Sequence, residues 1–207
     1  MVNRFLRQTA FSSVEDYKKH LEFIVPAHFN FAYDVMDVWA EEAPDKLALL
    51  WTNDEGVEIR TSFGTLKAET DQAASYLQSL GIGKGDPVML ILKRRYEWWL
   101  AMLALHKLGA IVIPATHMLT KHDVVYRNTR ASVKAIVCVD DDYVVSQVEA
   151  AMPESPTVEV LVKVGEAGPD GLSGQAGVTA PSASLGAPWH SWQDEWLKAP
   201  KFQRPAY

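Results

Sequence analysis

The second half of the chain alternates between short apolar runs and longer segments in which apolar residues recur at helical spacing. Runs that are apolar throughout predict strands buried on both faces, and the periodic segments between them predict helices. Strands are predicted at 87–92, 110–114, 134–139 and 158–164, and helices at 94–108, 120–130 and 141–152. Because short strands joined by helices pair in parallel through right-handed crossovers, this order predicts a doubly wound α/β fold.

The residues before 87 predict one β-hairpin and several helices. Strands are predicted at 47–52 and 57–63, and helices at 12–23, 30–43 and 66–80. Ser12-x-x-Glu15 has the pattern of a capping box at the start of the first helix, and Gly81 stands where a helix C-terminal cap belongs. The expected architecture is therefore a mostly parallel sheet flanked by helices, with an N-terminal hairpin before it.

The composition changes at Gly165. Gly165–Pro188 is rich in Gly, Ala, Ser and Pro and shows no periodicity, which predicts a flexible linker or loop. Beyond it, Trp189, Trp192 and Trp196 follow the i, i+3, i+7 spacing of one face of a short helix. These tryptophans either anchor an interface with a partner or pack on the protein's own core.

Composition and charge exclude several classes of protein. The chain has 207 residues, 48% of them hydrophobic, and a net charge of -6, which argues against a nucleic-acid binder because no basic surplus is present to neutralise phosphates. One cysteine excludes a disulfide framework and fits a reducing compartment. No apolar run approaches the roughly 20 residues that span a bilayer, and Met1–Ala10 lacks the apolar stretch of a secretory signal. The predicted location is the cytoplasm.

Motifs that carry chemistry are absent or weak. No run has the G-x-x-x-x-G-K-[ST] pattern of a phosphate loop, and the nearest imitation, Gly81–Gly85, precedes a predicted strand instead of following one. Cys138 lies in an apolar strand and is interpreted as a small buried hydrophobe. His106, His117 and His122 lack the spacing that would place two metal ligands on one helix face. The residues by themselves therefore predict no catalytic group and no metal site.

Two charged runs leave alternatives open. Arg94 and Arg95 lie at the predicted start of a helix, where positive charges are unfavourable because they oppose the helix macrodipole. Three explanations are open: the arginines serve a function, they pair with a carboxylate such as Glu97, or they form a solvated helix start. Asp140–Asp142 follows a predicted strand and suggests either a cation site or, more simply, acids that favour the helix N-terminus.

Four motifs in order between Phe29 and Val139 resemble the AMP-forming acyl-CoA synthetases of the adenylate-forming superfamily. The resemblance is closest to the acetyl- and medium-chain branch. The matching stretches are the entry Phe29–Val35 with Ala43–Leu49, the first core motif Thr61–Leu66, the turn and strand Leu80–Val88, and the second core motif His106–Pro114.

The resemblance implies an acid–thiol ligase that joins a small-molecule carboxylic acid to ATP and then to coenzyme A, with Mg²⁺. The family's phosphate loop, adenine motif, ribose-binding aspartate and adenylation lysine lie beyond the matching part, and none occurs among the 207 residues. The chain is therefore interpreted as an N-terminal fragment truncated at Tyr207, with an incomplete sheet. We expect the fragment to be inactive and to bind none of these ligands tightly.

The resemblance also implies a division of the chain. An N-terminal extension with a helix is expected at 1–28, a partial AMP-binding domain at 29–164, the linker or loop at 165–188, and a Trp-containing helix with a truncated continuation of the domain at 189–207. The alternative is a complete, non-catalytic small α/β protein that acts as a binding or interaction module.

One pair of binding residues is implied by the family. In the medium-chain branch, the segment after the second core motif contacts coenzyme A through a position that aligns with Met118, next to His117. The family often has glutamine at this position, so Met118 would replace a hydrogen bond by packing against the pantetheine arm of coenzyme A. The alternative is that Met118 is a loop residue that covers the core. The segment 140–145 also lacks the arginine by which the acetyl branch reaches the coenzyme phosphate, which favours an acyl group larger than acetate.

Overall fold

A computed structural model describes residues 2–165 and 188–206 of the chain. Apart from its two end residues, the predicted linker Gly165–Pro188 lies outside the described residues. The helices are α1 Val14–His20, α2 Val38–Glu42, α3 Phe63–Ser79, α4 Glu97–Leu108, α5 Lys121–Ala131, α6 Asp142–Ala151 and α7 Trp192–Glu195. The strands are β1 Leu47–Thr52, β2 Glu58–Ser62, β3 Pro87–Ile91, β4 Ile111–Pro114, β5 Ala135–Val139, β6 Val160–Val164 and β7 Trp189–Ser191.

Five strands form a parallel sheet in the order β4-β3-β5-β6-β7, and β1 pairs with β2 in a separate antiparallel hairpin. The doubly wound α/β prediction is thus confirmed. From β3 the chain crosses through α4 to β4 on one side, then returns through α5 to β5 on the other side of β3. The outgoing connections of β3 and β5 therefore diverge, and the crevice between their carboxyl ends is the topological switch point of the sheet.

The core lies on both faces of the two central strands. Every residue of β5 is buried, and β3 is buried from Val88 to Ile91, as expected of central strands in a parallel sheet covered on both faces. Helix α4 adds Leu100, Leu105 and Leu108, none of which is exposed. Cys138 is fully buried, and burial raises the pKa of its thiol, so the structure agrees with its interpretation as a buried hydrophobe.

Tertiary pairing changes the prediction for the three tryptophans. Trp189 lies in β7, opposite Leu161 of β6, so the expectation that all three share one helix face is wrong. Only Trp192, in α7, and Trp196, in the 3₁₀ turn that follows, are helical. Both are buried, at 1% and 2% exposure, which supports packing on the protein's own core.

Helix starts are the least accurate part of the prediction. The cap of α1 is Ser13, which accepts from the amide of Asp16, one residue later than the expected Ser12 and Glu15. By contrast, α5 begins directly after Thr120, the predicted start, and Thr120 and Asp123 form a capping box with both reciprocal hydrogen bonds. Ser, Thr and Asp are all good N-caps, so residue type alone does not show which of two neighbouring residues caps the helix. That choice depends on the direction in which the chain enters the helix.

Candidate functional site

The carboxyl ends of β3 and β5 bring charged loops together at the switch point. Lys93 follows β3 in a left-handed conformation with φ 50°. This turn delays the helix, so α4 begins at Glu97, and Arg94 and Arg95 lie in the loop before it. The predicted opposition between these arginines and the first turn of the helix is therefore wrong. Lys93 Nζ reaches across to Asp141 Oδ2 at 2.7 Å.

The acidic run after β5 has structural partners. Asp141 caps α6 by accepting from the amides of Tyr143 and Val144, and these bonds, with Lys93, lower its pKa. Asp140 lies 3.3 Å from Lys163 of β6. Within residues 2–165 and 188–206, no group of three side chains could hold a metal ion. The capping interpretation of Asp140–Asp142 is the one that the geometry supports.

A buried carboxylate joins α4 to the segment after residue 188. Glu97 is 4% exposed, and one of its oxygens accepts from Gln193 Nε2 at 3.2 Å. Gln193 in turn accepts from the amide of Gly165, directly after β6, at 2.8 Å. The second oxygen of Glu97 is buried without a hydrogen-bond partner. Burial therefore raises the pKa of Glu97, against the opposing effect of Arg95.

We expect Glu97→Gln to become more stable relative to the native chain as the pH rises. Because the pKa of Glu97 is raised in the folded state, ionising its carboxylate destabilises the folded chain. This loss of stability is absent below the ordinary pKa of 4.5, grows as the pH rises towards the folded-state pKa, and is constant above it. The substitution removes the titrating group but keeps an oxygen for Gln193. Urea unfolding at about pH 4.5, 6 and 7.5 measures the difference. A difference that is independent of pH, or one shared by the exposed control Glu55→Gln, would contradict the assignment.

Met118 and His117 lie at the same edge of the sheet, in the loop after β4. Both side chains are exposed, Met118 at 69%. The amide of Met118 donates to Thr116 Oγ1 at 3.3 Å, which turns the loop back towards α5. Because β4 is the neighbour of β3, this loop stands beside the charged loop 93–95. Contact with coenzyme A, suggested by the resemblance, stays a prediction for both residues.

A second group of charges is buried at the opposite edge of the sheet. Lys107, in the last turn of α4, is 1% exposed and lies 2.9 Å from Asp37 and 2.5 Å from Asp71. Lys67 contacts the same two carboxylates from a partly exposed position. Burial raises the pKa of Asp37 although both lysines oppose the shift. Each of these charges lies within 3.6 Å of an opposite charge in the group, so we interpret the arrangement as a structural feature and not a ligand site.

No helix in the described part of the chain has both the length and the apolar character needed to cross a membrane.

Comparison with known proteins finds one family and several relatives that match most of this chain. The AMP-binding enzyme family matches residues 36–201. Human mitochondrial acyl-coenzyme A synthetase ACSM2A is 38% identical over 153 residues, covering 71% of this chain and 26% of its own. Rat mitochondrial acyl-coenzyme A synthetase ACSM5 is 34% identical over 148 residues, covering 69% of this chain and 25% of its own. The chain thus spans about a quarter of the length of these relatives.

A solved structure shows the same fold. The anthranilate CoA ligase AuaEII, crystallised with anthranoyl-AMP, matches with a TM-score of 0.67 over 88% of this chain and 30% of its own, at 22% identity. The family match runs from the end of the π-helix Ala32–Asp37, directly before α2, to beyond the 3₁₀ turn Trp196–Lys198, so it includes the hairpin and the parallel sheet. The resemblance drawn from the four motifs is confirmed, and the chain belongs to the AMP-binding enzyme family.

Proposed function

We propose that this chain is the N-terminal part of an ATP-dependent, AMP-forming acyl-CoA synthetase. The observation that carries the proposal is the family match over residues 36–201, with acyl-coenzyme A synthetases among the relatives. A carboxylic acid would attack the α-phosphorus of ATP, releasing pyrophosphate and leaving an acyl-adenylate. The thiol of coenzyme A would then attack the acyl carbon and release AMP.

The described residues supply a scaffold for this reaction and not its reacting groups. Phosphoryl and adenylyl transfer need donors and cations aimed at charge that develops on phosphate oxygens. The 207 residues contain no phosphate loop of the G-x-x-x-x-G-K-[ST] type, and the described residues form no cluster of metal ligands, so we assign no Mg²⁺ ligand to them. We propose that the chain is inactive alone and that Met118 and His117 face the coenzyme A side.

A chimera tests the proposal. We expect the chain alone to show no acid-dependent exchange of pyrophosphate into ATP. A human ACSM2A in which residues 36–201 replace the matching segment should retain exchange above background with at least one acid of a panel of linear and aromatic acids. A folded chimera without exchange, beside an active parent, would contradict the proposal, and circular dichroism with a thermal melt establishes folding. Exchange by the chain alone would show that it carries its own reacting groups.

Two further assignments are proposals. We propose the division into 1–28, 29–164, 165–188 and 189–207 as stated above, and a cytoplasmic location, although the human and rat relatives are named mitochondrial. Fractionation of cells that express the tagged chain measures the location directly. The alternative of a non-catalytic binding module is not favoured, because the match extends through almost all of the described fold.

A further inference from the structure

We propose that Arg94, supported by Lys93, binds a phosphate group of a nucleotide cosubstrate at the crevice between the carboxyl ends of β3 and β5. The position of this site follows from the fold. The kind of ligand rests on the proposed function, because an acyl-CoA synthetase handles two phosphate-bearing nucleotides, ATP and coenzyme A.

The topology selects this crevice from all others in the sheet. In open α/β sheets, ligands bind outside the carboxyl ends of the strands at the point where the strand order reverses. Here that point lies between β3 and β5, which are hydrogen-bonded neighbours from Val88 to Ile91. The loop 93–95 leaves β3 at this point, and Asp140 and Asp141 leave β5 beside it.

The backbone of the loop is held in an uncommon conformation. Lys93 has φ 50°, in the left-handed region that residues with a Cβ occupy sparsely. The next residue, Arg94, is fixed by Trp51 of the hairpin, whose indole nitrogen donates to the Arg94 carbonyl at 2.6 Å. Strained backbone that is held by a distant element is commonest at binding sites. Two consecutive cations, Lys93 and Arg94, therefore belong to a loop whose backbone is held in place.

The ion pairs described at the carboxyl edge of the sheet include Lys93 and Lys163 but not Arg94. Lys93 is paired with Asp141, and Lys163 lies 3.3 Å from Asp140, so two of the three acidic side chains of the run 140–142 are neutralised, and Asp142 is exposed in the first turn of α6. Arg94 is exposed and has no ion-pair partner among the described residues. A guanidinium presents a planar fork of donors that matches phosphate oxygens two at a time.

The same surroundings argue against the acyl group as the occupant. An aliphatic or aromatic tail needs an apolar lining, whereas the residues that follow β3 and β5 at the switch point include the charged Lys93, Arg94, Asp140 and Asp141. A phosphate group is therefore the better match to this crevice.

Titration calorimetry of the whole chain at low ionic strength tests the proposal with ATP, coenzyme A, 3′-dephospho-coenzyme A and inorganic pyrophosphate. We expect Arg94→Ala to weaken binding of the preferred nucleotide by about tenfold or more, as for a lost charge-assisted hydrogen bond. Arg94→Lys should lose less, because it keeps the charge without the fork. The matched control Arg130→Ala, an exposed arginine in the last turn of α5 at the opposite edge of the sheet, should stay within about twofold.

The choice of nucleotide identifies the source of the phosphate. Weaker binding of the dephospho form than of coenzyme A indicates the 3′-phosphate, and binding of ATP and pyrophosphate alone indicates the triphosphate. Absence of binding by the native chain at millimolar nucleotide, an unchanged affinity in Arg94→Ala, or an equal loss in Arg130→Ala would each overturn the proposal.

The chimera separates this inference from the proposed function. An active chimera whose KM for ATP and coenzyme A is unchanged by Arg94→Ala would overturn the site and leave the function standing. A native chain that binds nucleotide through Arg94, together with a folded but inactive chimera, would support the site and contradict the function.

Discussion

Replacing Lys107 with methionine is expected to lower the free energy of unfolding by about 3–5 kcal/mol, because it removes one partner of a buried ion pair and leaves charge uncompensated. The Lys107 side chain is 1% exposed and contacts Asp37, which is itself buried. Without the ammonium group, Asp37 at the start of α2 and Asp71 in the middle of α3 keep, among the described residues, only the partly exposed Lys67 as an ion-pair partner. Urea unfolding monitored by circular dichroism measures the loss, since a shift in midpoint at constant slope reports stability.

Lys67 provides a matched control for this prediction. It contacts the same two carboxylates, at 3.6 Å and 2.8 Å, but its side chain is 36% exposed and screened by water. Lys67→Met should therefore cost about 0–1 kcal/mol, as for other exposed pairs. Asp37→Asn in the Lys107→Met background should recover part of the loss, because it removes one of the stranded charges. Equal losses for the two lysines would show that burial does not set the cost of this cluster.

The sheet was predictable because the order of its elements along the chain is encoded locally. Central strands such as β5 are apolar at every position, and the helices between them carry their own periodicity, so each element is recognisable without its neighbours. The capping box at Thr120 and Asp123 is equally local. The parallel, doubly wound class then follows from the rule that parallel strands are joined by right-handed crossovers, whereas the order of the strands within the sheet is known only from the structure.

The contacts that shape the candidate site are not local, and the sequence pattern does not contain them. Glu97 and Gln193 are 96 positions apart, and Arg94 meets Trp51 across 43 positions. The left-handed turn at Lys93 has no glycine to mark it, so the helix was expected three residues too early. The one available signal is the cationic run itself, which is unfavourable at a helix start, but it leaves open whether Arg94 and Arg95 serve a function, pair with a carboxylate or form a solvated helix start.

The short strand β7 is not predicted by the sequence for a related reason. Trp189 was assigned to a helix by spacing alone, but its backbone pairs with Leu161 of β6. Its indole also donates to Glu149 of α6 at 3.0 Å. Three residues are too few for an alternating pattern to compete with i, i+3 spacing, so a short edge strand is not visible before its neighbour is known.

Replacing Trp192 with alanine is expected to lower the free energy of unfolding by about 3–5 kcal/mol, the cost of deleting a buried aromatic side chain. Trp192 is 1% exposed, meets Tyr76 of α3 edge to face at 5.5 Å between ring centroids, and stacks on Trp196 at 6.0 Å. The surrounding segment is bound to α3, because Gln72 donates to the carbonyls of Trp196 and Ala199 at 2.8 Å and 2.9 Å. The cavity left by the substitution would therefore lie between α3 and the segment 192–199. These hydrogen bonds hold the two in place, so they cannot close freely over the cavity.

The same variant decides between the two interpretations of the tryptophans. If Trp192 anchors an interface, the alanine variant should lose binding to a partner and keep its stability. If Trp192 belongs to the core, the variant should be less stable even as an isolated chain. Leu197 is the control: it lies one position beyond Trp196 and is 62% exposed, so Leu197→Ala should change stability by no more than about 0.5 kcal/mol. If Trp192→Ala were as stable as Leu197→Ala in urea, the segment 192–198 would not be part of the cooperative core. Trp192→Phe, which keeps a ring against Tyr76, should fall between the two because part of the aromatic contact survives.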